Sequence, residues 1–71
     1  MGTTRCEVTV DGPIARSLLA LISSRFDRVS VPAAAVLVVE GIDQASVRAL
    51  LILLWDAGHD VLSVTTADPG G

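Results

Sequence analysis

The stretch AAVLVVEGIDQASVRALLILLW, residues 34–55, decides the fold. Residues 34–39 are continuously apolar and Glu40 ends the run, which is the pattern of a central strand with both faces covered. GID, residues 41–43, interrupts it, and Asp43 is placed to cap a helix. From about Gln44 to Ala57 the apolar positions change to helical spacing, with Val47, Leu50, Leu51 and Leu54 in one stripe. Gly58 follows, where a left-handed residue stops a helix. The helix carries more apolar surface than one stripe needs, because ALLILLW, residues 49–55, has no polar member. With Val47, Leu50, Leu51 and Leu54 turned to a core, Ile52 and Trp55 share an outer flank with Arg48.

Upstream, CEVTV at 6–10 alternates, with Cys6, Val8 and Val10 on one side, and reads as a half-buried strand. DGP at 11–13 punctuates the chain: Asp11 or Gly12 can cap a helix and Pro13 suits its first turn. IARSLLALISSRF, 14–26, repeats apolar residues at three- and four-residue spacing. DRVSV, 27–31, alternates again, Pro32 is expected to end that strand, and a tight hairpin is expected at 32–33. Downstream, DVLSVTT at 60–66 is a last strand with Leu62 and Val64 on one face. Residues 1–5 and 67–71 read as flexible ends around one domain spanning 6–66.

The order β-α-β-β-α-β predicts an α+β, ferredoxin-like two-layer sandwich: a four-stranded antiparallel sheet with two helices on one face. The sheet then has an open face. Either Val36 and Val38 or Leu37 and Val39 lie on it, and Leu37 and Val39 join Arg48, Ile52 and Trp55 as candidate interface residues. Two elements with surplus apolar surface in a chain of 71 residues, 51% hydrophobic and 18% charged, point to a homodimer or a larger protein partner.

Composition narrows the function. Disorder is excluded by the hydrophobic content. The net charge is −3, the five basic residues are scattered arginines, and Phe26 and Trp55 are the only aromatics, which argues against a nucleic-acid partner. The apolar runs fall short of the roughly 20 residues that span a bilayer, so no membrane partner is expected. A single cysteine permits no internal disulfide, and a cytoplasmic location is the expectation.

No catalytic constellation appears, so no enzymatic activity and no cofactor are expected. His59 is the only histidine and sits where a helix C-terminus would meet it favourably. Asp56, His59 and Asp60 lack the second cluster that a metal site requires. Cys6 lies on the apolar face of its strand without an adjacent base, as a structural thiol does.

VTVDGPIARSLLALISSRF (8–26), VLVVEGIDQASVRALLILL (36–54) and DVLSV (60–64) together resemble an ACT-type regulatory domain, in particular the small regulatory subunit of acetolactate synthase. The resemblance spans roughly residues 7–66. It implies a small, non-enzymatic regulatory module that dimerises and binds an amino-acid-like effector through the loop after the first strand, here Asp11, Gly12 and Ile14. In that family the loop offers backbone N–H groups at a helix start, where free donors and the helix dipole favour a carboxylate. This chain has glycine before proline, with one residue fewer than the family pattern, and Pro13 has no N–H to offer. The alternative is a ferredoxin-like protein–protein interaction domain with no small-molecule ligand.

Overall fold

The computed structural model describes residues 4–67 and contains six elements in the expected order. They are β1 (Thr4–Val10), α1 (Arg16–Arg25), β2 (Arg28–Ala33), β3 (Val36–Ile42), α2 (Gln44–Asp56) and β4 (Val61–Ala67). The strands form one antiparallel sheet in the order β2-β3-β1-β4, with β1 and β3 central. The fold is ferredoxin-like. Of the ends expected to be flexible, residues 1–3 and 68–71 lie outside the described residues, whereas Thr4, Arg5 and Ala67 belong to strands. The Thr4 hydroxyl donates to the Ala67 carbonyl at 2.9 Å.

Register decides which side chains meet the helices. Val8 pairs with Leu37 on one side and Val64 on the other, and Cys6 pairs with Val39. Directly opposed residues share a face, so Cys6, Val8, Val10, Leu37 and Val39 form a single apolar floor. Leu18 and Ile22 of α1 and Leu50 and Leu54 of α2 close over it.

Leu37 and Val39 are therefore fully buried core residues, and their assignment to an interface is wrong. A strand that is apolar at every position carries no phase of its own; pairing with the alternating β1 supplies it. The open face instead holds Val36 and Val38 among Glu7, Thr9, Ser30, Ser63 and Thr65. Val38 is only 3% exposed there, because it lies between Glu7 and Ser30 of the two flanking strands. Val38 therefore adds almost no exposed apolar surface on this side.

Several boundaries differ from the expected ones, and four of the differences trace to specific contacts. β2 runs through Pro32 to Ala33 because it is an edge strand, where a missing N–H breaks no ladder on the outer side. The hairpin turn is consequently Ala34–Ala35. β3 continues past Gly41, whose φ of 73° accommodates an extra residue between Val39 and Ile42 opposite Cys6 and Thr4. Glycine is suited to that left-handed bulge position, and Ile42 returns to the core beyond it.

The fourth difference is the start of α1. Its N-cap is Ala15, without a side-chain cap, rather than Asp11 or Gly12. The N–H groups of Val10 and Ile14 donate to Ala35 and Ala34 carbonyls at 2.9 Å each, so the chain follows the hairpin turn before it can coil. α2 begins as expected: the Asp43 carboxylate accepts the Ser46 N–H at 2.8 Å. Its end is a Schellman motif, with His59 N–H on the Leu54 carbonyl, Gly58 N–H on that of Trp55, and Gly58 at φ 89°.

Candidate functional site

The seven apolar residues of 49–55 divide by direction. Successive residues turn by about 100° around a helix. Leu50 and Leu54 point into the core, and Val47, Leu51 and Leu53 pack partly against it. Ile52 and Trp55 project outward, 45% and 56% exposed. Gln44, Val47, Arg48, Leu51, Ile52 and Trp55 line a shallow groove of about 550 Å³ along this flank.

The flank faces one side of the molecule. Ser46, on the opposite shoulder of α2, lines a smaller cleft with Arg25, Phe26 and Asp27 at the end of α1. The groove flank thus lies away from α1, on the side of β4, and α2 touches both elements. There β4 adds Val64, which pairs with the buried Val8 and is 40% exposed; Leu62, 65% exposed, falls in the irregular part of the same strand. A register irregularity at Val10 and Val61 turns Val61, rather than Leu62, toward the core. Arg48, Ile52 and Trp55 line one groove, with Val47 and Leu51 on the same stripe of three- and four-residue spacing.

The loop after β1 is built differently from an open donor cradle. Ile14 donates to Ala34, and the Asp11 N–H donates to the Asp60 carbonyl at 3.1 Å. Pro13 has no donor, so Gly12 is the one residue of 11–14 whose N–H is not engaged in these bonds or absent. The Asp11 Oδ1 lies 3.2 Å from His59 Nδ1. That hydrogen bond holds the Asp11 carboxyl below the ordinary carboxylate range, helped by the backbone N–H groups of Asp60 and Asp11 and opposed by modest desolvation. His59 therefore does more than end a helix: it ties the β1 loop to the α2–β4 loop. Antiparallel pairing of β1 with β4 makes the tie possible, because it sets the end of one beside the start of the other.

Cys6 is buried in the core, and desolvation pushes its thiol up, away from the reactive thiolate. Among the described residues, no three of His, Cys, Asp and Glu gather as metal ligands would, and no helix is long and apolar enough to cross a membrane. No protein-family profile, curated protein or solved structure matches the chain.

Proposed function

We propose that this chain is a non-enzymatic interaction module whose contact surface is the β4-side flank of α2, centred on Leu51, Ile52 and Trp55. One observation carries the reading: one of the chain's two aromatic residues stands more than half exposed beside an exposed isoleucine and over a groove. Removing what remains of each side chain from water is worth on the order of 1–2 kcal/mol. Tryptophan with an adjacent arginine is also the composition of interface centres.

This reading has more support than an amino-acid effector site of ACT type at Asp11, Gly12 and Ile14. In that loop the Asp11 and Ile14 donors are engaged within the chain, and the Asp11 carboxylate would face an incoming carboxylate. The test is affinity capture from cells with tagged wild type and tagged Trp55→Asp, scoring untagged copies of the chain among the products. Species lost on substitution support the surface; identical captures would refute it.

A further inference from the structure

The two edges of the sheet are finished differently. β2 carries Arg28, Pro32 and a break in register between Ser30 and Ala33. Charge, proline and irregular pairing are each devices that stop a further strand from adding. β4 is less protected: residues 61–67 contain no charge and no proline, and its register irregularity lies at the start of the strand, leaving the pairing with β1 unbroken from Ser63 to Ala67. Val64 stands opposite the fully buried Val8 on the helix side, yet remains exposed because β4 is an edge strand among the described residues.

We infer that the occupant of this side is a second copy of the chain, joined through the free edge of β4 about a two-fold axis normal to the sheet, with α2 antiparallel to its counterpart. This rests on the reading of the α2 flank as a contact surface and names its partner. An uncharged strand can pair with its own copy without setting like charges opposite each other. The result is one eight-stranded antiparallel sheet with four helices on a single face.

The dimensions agree. α2, thirteen residues, is about 20 Å long and β4, seven residues, about 23 Å, so one axis can pass the middle of both. α2 crosses β1 to reach β4. With strands about 4.8 Å apart, a helix seated above the gap between β1 and β4 would lie about 5 Å from that axis and about 10 Å from its copy, which is ordinary helix-packing distance.

The charges agree as well. With the axis between Leu51 and Ile52, Arg48 of one copy lies across from the partner's Trp55. A guanidinium over an indole face is favourable. Arg48 has no ion-pair partner among the described residues. The two arginines stay about 10 Å apart along the helix axes in this arrangement, whereas parallel helices would place them side by side.

Sedimentation equilibrium of purified wild type, with amide hydrogen exchange over 61–67 at low and high protein concentration, tests the inference. The expected result is a dimer whose β4 amides gain protection as concentration rises. Arg48→Glu, at an exposed position, should weaken it about tenfold, and Trp55→Asp should abolish it, with circular dichroism confirming that both variants fold. A wild-type monomer at millimolar concentration overturns self-association. If the Trp55-sensitive capture of another protein persists in that case, the surface reading stands alone. A dimer that forms without β4 protection, or that ignores both substitutions, also overturns the proposed pairing.

Discussion

The Nδ1 atom of His59 lies 3.2 Å from Oδ1 of Asp11, a hydrogen bond between residues 48 positions apart. The imidazole is mostly enclosed, its side chain 14% exposed, while the carboxylate is open to water. The pair clamps the end of β1 to the turn that leaves α2.

This clamp has a pH signature. Its hydrogen bonds lower the Asp11 pKa in the folded chain below the ordinary 3.8. A depressed folded pKa contributes stability that is fully present above the unfolded value and lost as pH falls through the folded value. Thermal melts of wild type and Asp11→Asn should differ in favour of wild type at pH 6–7, and the gap should narrow and close as pH falls below 3.8. A gap independent of pH would show that the carboxylate charge is not what the fold uses.

Leu54→Ala removes a fully buried side chain at the junction of α2 and the sheet. The expected loss is about 2–5 kcal/mol, a large share of the stability of so small a domain. Ile52→Ala, two residues earlier but exposed, should change monomer stability by less than about 0.5 kcal/mol. Urea denaturation at a concentration low enough to prevent association separates the two.

Gly58 holds a φ of 89°, which an L side chain rarely adopts, although a Cβ there would meet no atom within 4 Å. Gly58→Ala should therefore cost about 1–2 kcal/mol through backbone conformation alone. Gly12→Ala, with equal room and no positive φ, should be close to neutral in the same denaturation experiment.

Melting in the presence of a panel of amino acids addresses the loop directly. With the Asp11 and Ile14 donors already engaged, no rise in Tm is expected at millimolar ligand. A saturable rise with any one of them would return residues 11–14 to the position of an effector site.

The alternation of CEVTV and the three- and four-residue spacing after Pro13 made element types legible, because both signals are local. The outward direction of Ile52 and Trp55 was legible for the same reason. The inward face of VLVV was not: an apolar residue at each position leaves two phases equal until Val8 selects Leu37. Pro32 misled because the rule against proline in a ladder does not apply on the outer side of an edge. Asp11-Gly12-Pro13 has good local chemistry for a cap, but Asp11 is taken by His59, and Val10 and Ile14 on either side of the triplet are held by the hairpin turn. The clamp and the β4 part of the surface depend on residues far apart in the chain, and no short-range pattern encodes them.

The bond from Thr4 to Ala67 closes the fold on itself, with entry and exit at one corner. A domain whose ends meet can be spliced into a loop of a host protein, or rejoined by a short linker and opened elsewhere, without stretching its framework. The Ala34–Ala35 turn ties down the β1–α1 loop through two hydrogen bonds, and the α2–β4 connection carries the Schellman bonds and the His59–Asp11 clamp, so both are poor places for new ends.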